Sequence, residues 1–316
     1  MSALLMDLRR NRLMMSYLIV GGLILLILVA GGVLSDRFLT WRNVTNVLQQ
    51  LIVLGLVSLG QTFVVLMGGI DLAIGSLVSA VTVFLANFLD WRPDLVWLAV
   101  PLALAAAATV GAVNGILTVV LRVHPLIVTL GMSSVIFGGT LMYRKEPGGS
   151  IPRALEDIAY RNVGGIPVSA IVLVVVFAIA GLWLQRTRAG RNIYFVGGDA
   201  EAARLNGLAV GRITVMAYAL SGLCAGIAGL FLTARTGVGD PRIGAALTLQ
   251  SITPVVVGGT ILAGGRGGVF GTFLGVLLVT MLNSLLNFVG VSSYYQWIIQ
   301  GVIIIVAVGF HTVRRT

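Results

Sequence analysis

The chain has 316 residues, of which 58% are hydrophobic and only 10% charged, and its formal net charge is +10. A soluble domain carries about 25% charged residues, so the composition excludes a water-soluble globule and points to an all-α polytopic membrane protein. The arginines are spread between the apolar runs, which ties the charge to membrane topology and not to nucleic acid.

The first residues, MSALLMDLRRNRLMM followed by an apolar run, resemble a signal peptide. The run ends in VAGGVLSDR, a weak cleavage pattern, and further spans follow, so a retained signal anchor is expected. About ten transmembrane helices are expected, near 17–34, 47–67, 72–89, 95–121, 125–143, 168–184, 213–234, 245–263, 269–289 and 294–311. Each approaches the roughly 20 residues that cross a bilayer as a helix. The roughly 10-residue alternating segments of a membrane barrel are not found. The whole chain, 1–316, reads as one transmembrane domain. With both termini cytoplasmic, 12 basic residues against four acids lie inside, and 9 against seven outside. That asymmetry obeys the positive-inside rule.

Between the second and third spans lies VVLMGGIDLAIGS, Val64 to Ser76, with one acid, Asp71, in its middle. An ionised group at membrane depth costs about 2.5–3.5 kcal/mol on insertion scales. Gly68 and Gly69 can end one helix and Asp71 can cap the next, where free N–H groups and the positive end of the helix dipole meet the carboxylate. An architectural role follows from that reading. A direct role in binding substrate or protons is its alternative. The stretch has an echo: VVLMGGIDLAIG (64–75) aligns with VVVGGTILAGG (255–265) when one gap is allowed, pairing Asp71 with Ile261. A possible internal repeat, common in transporters, and a shared bias toward Val, Gly, Leu and Ala both account for it.

Other polar residues fall inside apolar runs. Asn114 in VGAVNGILTVV is expected either to clamp two helices or to line a pathway. Asn283, Ser284 and Asn287 put two amides on one helix face, four residues apart. Gln61 and Gln250 lie in or near span entrances. With Asp71, the residues Gln61, Asn114, Gln250, Asn283 and Asn287 are the candidates for a translocation path.

Two hydrophilic segments stand out, 144–167 on the expected outer side and 185–212 on the inner. In the second, NIYFV reads as extended and Gly197–Gly198 end it. Asp199 is then a good N-cap, AEAARL has strong helix propensity, and Gly207 suits the C-cap. Asp199 and Glu201 suit the positive end of that helix dipole, and Arg204 its C-terminal half. The result is a helix of about two turns. It is either a surface connector or a coupling helix that docks on another protein.

Several chemistries are excluded. A P-loop needs a lysine directly after a glycine, and the single lysine, Lys145, follows Arg144. With His124, His311 and one cysteine, Cys224, there is no clustered metal ligand set and no intrachain disulfide. No nucleophile–base constellation stands out, so no catalytic residue is assigned.

FLTWRNVTNVLQQ, GQTFVVLMGGIDLAIGS, GAVNGILTV, PLIVTLGM, TRAGRNIYFVGGDAEAARLNGL, GLCAGIAGL, VVVGGTILAGGRGGVFGTFLG and GVSSYYQ follow one another along nearly the whole chain. Together they resemble permease subunits of bacterial ABC importers in the ribose, galactose and branched-chain amino acid permease family. GGIDL and AGGRGG favour the sugar branch. The family more often has Asn at the position of Asp199, and both residues cap helices. The resemblance implies an inner-membrane permease that carries a monosaccharide delivered by a periplasmic sugar-binding protein. It implies a second permease copy or a sister permease, and a separate ABC ATPase subunit that alone binds ATP-Mg, with no cofactor on this chain. The coupling segment would be Gly198, Asp199, Ala200, Glu201, Ala202, Ala203, Arg204, Leu205, Asn206 and Gly207. The alternative is an ion-coupled secondary transporter that uses Asp71.

Overall fold

The computed structural model describes residues 2–302. Its helices are α1 (Ser2–Leu34), α2 (Trp41–Leu66), α3 (Ile74–Trp91), α4 (Val96–Leu121), α5 (Pro125–Tyr143), α6 (Arg153–Tyr160), α7 (Val168–Arg186), α8 (Arg188–Gly198), α9 (Ala200–Leu205), α10 (Val210–Thr236), α11 (Ala245–Val257) and α12 (Val269–Phe288). Helical residues resume at 293 and continue to 302. Two short strands, β1 (Asn162–Val163) and β2 (Ile166–Pro167), pair antiparallel.

Seven of the described helices are long and apolar enough to cross a membrane: Met14–Leu34, Trp41–Leu66, Pro93–Leu121, Pro125–Tyr143, Val168–Arg186, Val210–Thr236 and Val269–Phe288. The expected spans at 72–89 and 245–263 are shorter apolar helices, and the expected span at 294–311 runs beyond the described residues. The helix α11 stops at Val257, six residues before the expected end. Gly259 and Gly264 there take left-handed backbone conformations, with φ of 87° at both, which ends a helix although the sequence stays apolar.

Helix α2 is the axis of the bundle. Every residue from Leu51 to Leu66 is buried, which explains a run that is apolar on all sides. Helix α10 packs against it and against α3 and α4. The α4–α10 crossing is built on small residues. A Cβ at Gly111 would collide with the Tyr218 carbonyl and come within 3.0 Å of Gly222, and a Cβ at Gly115 would lie 2.6 Å from the Val215 backbone. Such close backbone approach lets apolar helices associate by dispersion where no water drives them together. Gly60 on α2 meets Ser221 and Cys224 on α10 in the same way, each at 3.1 Å, and Cys224 is buried there. Around this centre α1, α4, α5 and α7 turn leucine, isoleucine and valine outward, as lipid-facing helices do.

The loops segregate to two ends of the bundle. At one end the 144–167 segment is folded and anchored. Leu155 and Ala159 of α6 are buried, and Gly164–Gly165, both with positive φ, turn β1 into β2. Gly148 and Gly239 exchange two backbone hydrogen bonds at 2.9 and 3.0 Å, and Arg144 Nε donates to Asn87 Oδ1 at 2.8 Å. From Gly237 the chain runs back along α3, past Thr82 and Ala86, to Gly244, whose N–H bonds Ser79 Oγ at 2.9 Å. Helix α11 therefore starts part-way down α3, which is why 13 residues suffice for it. The opposite end gathers the α2–α3 turn, α8, α9 and the 258–268 loop.

The α4–α10 crossing makes a direct prediction. Gly111→Val should destabilise the bundle by about 1–3 kcal/mol, the usual cost of overpacking. Gly138→Val on α5, where a Cβ meets nothing within 4 Å, should not. Thermal unfolding of both variants in detergent checks this.

Candidate functional site: the Asp71 turn and the coupling loop

After Leu66 the chain breaks. Gly68 has φ of 79°, and Gly69 N–H closes on the Val64 carbonyl at 3.0 Å. Asp71 is buried, 2% exposed. Its Oδ1 accepts from Ala73 N–H at 3.0 Å and its Oδ2 from Ser221 Oγ of α10 at 2.8 Å. The carboxylate therefore bonds the N–H two residues on, at the entrance to α3, while Ala73 holds the N-cap position itself. Gln61, also fully buried, holds the same residue by its backbone. With its amide nitrogen turned toward the Asp71 carbonyl, it donates to that oxygen at 3.2 Å and accepts from Asp71 N–H at 3.3 Å. Thr129 of α5 donates to the Ile70 carbonyl at 3.1 Å. Three helices thus satisfy the polar groups of one turn.

The 255–265 echo ends α11 with a similar set of bonds. Gly259 N–H bonds Val256 and Thr260 N–H bonds Val255, as Gly68 bonds Val65 and Gly69 bonds Val64. The geometric match runs without a gap, pairing Gly68 with Gly259, so Asp71 falls opposite Leu262 and not Ile261.

The remaining candidates are scattered. Asn114 is buried on α4, and its side-chain oxygen has no hydrogen-bond partner among the described residues. Asn283 and Asn287 accept from Gln300 and Gln296 at 3.0 and 2.7 Å, and Ser284 donates to Asn43 at 3.4 Å. These bonds tie α12 to α2 and to the helical residues after 293. Gln250 is half-buried on α11. Ser221 and Thr129 escape a reading of sequence because serine and threonine are common in every span.

The coupling segment folds around Asp199. The expected extended NIYFV is helical and belongs to α8, whose Gly190, Ile193 and Val196 are buried at three-residue spacing. Asp199 Oδ1 caps α9 by accepting from Ala202 N–H at 2.9 Å. At the other end Gly207, with φ of 79°, bonds Arg204, and Leu208 bonds Ala203, each N–H to a carbonyl. This pair of bonds is the Schellman closure of a helix. Glu201 and Arg204 form an exposed ion pair at 2.6 Å. Arg204 holds the Glu201 carboxyl below its ordinary range, so the pair is present at neutral pH and is lost as acid protonates Glu201. Leu205 of α9 and Phe195 in the last turn of α8 are 76% and 66% exposed.

The family model described as "Branched-chain amino acid transport system / permease component" matches residues 43–308. The chain belongs to this permease family. The ribose import permease protein of Bacillus subtilis (strain 168) is 38% identical to it over 292 residues, covering 91% of this chain and 89% of that one. The D-allose transport system permease protein of Escherichia coli (strain K12) is 31% identical, with 90% and 88% covered. The fructose import permease protein of Rhizobium meliloti is 33% identical, with 90% and 82% covered. No solved structure matches the permease.

The Asp71 turn predicts a graded response. Asp71→Asn keeps an acceptor for Ala73 N–H and a partner for Ser221, so expression and uptake should stay near wild type. Asp71→Ala leaves buried donors unpaired and should cost about 1–3 kcal/mol. Yield, unfolding temperature and uptake of the two variants read the difference.

Proposed function

We propose that the permease is the membrane subunit of an ATP-driven ABC importer for a monosaccharide. The observation that carries this is the 31–38% identity to ribose, allose and fructose permeases over about 90% of the chain. A periplasmic sugar-binding protein delivers the sugar to the end of the bundle that holds residues 144–167. A second permease copy or a sister chain completes the path through the bacterial inner membrane. An ABC ATPase subunit, which carries ATP-Mg, docks on α9.

The form of α9 supports that docking. It is short, capped at both ends and closed by its own ion pair, so it keeps its shape while only Ala203 is buried against the bundle. Exposed Leu205 and Phe195 offer it apolar anchors. Asp71, by contrast, spends its carboxylate oxygens on Ala73 and Ser221, which favours the architectural role over an ion site.

Docking can be tested by pulling the tagged permease from native membranes in mild detergent. Wild type should bring down the ATPase subunit. Leu205→Glu should reduce that recovery by about tenfold, the effect of losing one interface anchor, and abolish sugar uptake. Replacing Glu201 and Arg204 together should also weaken docking. Full ATPase recovery and uptake by all these variants would sink the assignment of α9.

A further inference from the structure

Three stretches of bare backbone meet directly behind α9. The first is the last turn of α8. Asp199 N–H closes α8 on the Phe195 carbonyl at 3.2 Å, and the Asp199 carboxylate opens α9. One residue therefore joins the two helices, and a displacement of α9 moves the end of α8. The second stretch is the C-terminus of α2. A Cβ at Gly197 would collide with the Leu66 carbonyl and lie 2.9 Å from Gly265 N. The third is the 258–268 loop. Gly265 N–H bonds the Leu66 carbonyl at 2.9 Å. A Cβ at Gly264 would lie 2.6 Å from the Gly197 carbonyl and 2.7 Å from Gly68 N, and one at Gly265 would lie 2.6 Å from Gly198 Cα. Tyr194 of α8 adds a side-chain tie by donating to the Gly267 carbonyl at 3.3 Å.

No side chain separates these backbones, so no rotamer change can absorb relative movement between them. The next link is already on the page. Leu66 leads through Gly68 to Asp71, whose carboxylate holds Ser221 in the middle of α10. The 258–268 loop leads into α12, where Thr272 bonds Thr62 of α2 at 2.8 Å. Tight backbone packing of this kind shifts as a unit instead of deforming gradually.

We propose that Gly68, Gly197, Gly264 and Gly265 form a rigid junction that passes the displacement of α9 to the α2–α3 turn and to the loop before α12. Gly197 and Tyr194 are its positioning residues on the α8 side. The proposal rests on the reading of α9 as the ATPase dock.

Hydrogen exchange on the purified permease–ATPase complex, compared with and without ATP and vanadate, tests it without knowledge of the sugar. In wild type, nucleotide trapping should change exchange at 195–205 and also at 66–73 and 260–268. Each change should be about fivefold or more, the lower end of ordinary coupling between sites. Gly197→Ala, and the milder Tyr194→Phe should the alanine variant fail to assemble, should keep the change at 195–205 and shrink the change at 66–73. A merely structural role would lower protection in both nucleotide states and leave their difference intact. Change at 195–205 with none at 66–73, or variants that transmit as wild type does, would overturn the junction. Absence of any change at 195–205 would instead overturn the docking reading, and the junction with it.

Discussion

Away from water, a break in a helix exposes backbone groups that only the protein can satisfy. Among the described residues, two such breaks are buried, after α2 and after α11, and much of the polar chemistry around them exists to close them. Gln61, Thr129 and Ser221 come from three different helices to hold the residues around Asp71. At the second break the Thr260 hydroxyl accepts from Gly268 N–H at 3.2 Å, and Ile261 N–H finds the Arg266 carbonyl at 3.0 Å. The carboxylate that stood out in the apolar sequence is thus one of several groups meeting the same demand. It is the only carboxyl group among them.

The two breaks also explain the glycine-rich composition of this region. Each loop is tied off by hydrogen bonds to main chain, and the loops then pack against each other and against α8 with little but main chain between them. A side chain at Gly197 or Gly264 would hold these backbones apart. The small-residue crossing of α4 and α10 follows the same logic further along the bundle. In both places stability comes from how closely two backbones approach.

Much of this was legible before the fold was known. Long continuous apolar runs marked the spans α1, α2, α4, α5, α7, α10 and α12, and α9 announced itself through Asp199, the AEAARL propensity and Gly207. The errors have physical causes. The expected extended stretch NIYFV is part of a helix because its aromatic and β-branched residues, which favour extended backbone in isolation, lie on two faces of a helical register with Ile193 and Val196 turned inward. The span expected to reach 263 ended at Val257 because left-handed glycines stop a helix that hydropathy alone would extend. Ser221 and Thr129 carried no signal, since a hydroxyl matters only through what it faces. The convergence of Gly68, Gly197 and Gly264 joins residues nearly 200 positions apart, and only the fold brings them together. The amide oxygens of Asn283 and Asn287, named as path candidates from the sequence, accept from Gln300 and Gln296.

The chain has one thiol, and it sits where α10 presses on Gly60 of α2. Cys224 is 6% exposed, and even a Cβ added at Gly60 would crowd its Cβ at 3.1 Å. A maleimide or spin label has no room to approach it while the bundle is folded. A cysteine introduced on α9 or on the hairpin at Gly164–Gly165 would therefore react alone, with the native residue left in place. Labelling of Cys224 itself would then report that α2 and α10 had come apart, which makes the same atom a built-in gauge of whether a preparation is still folded.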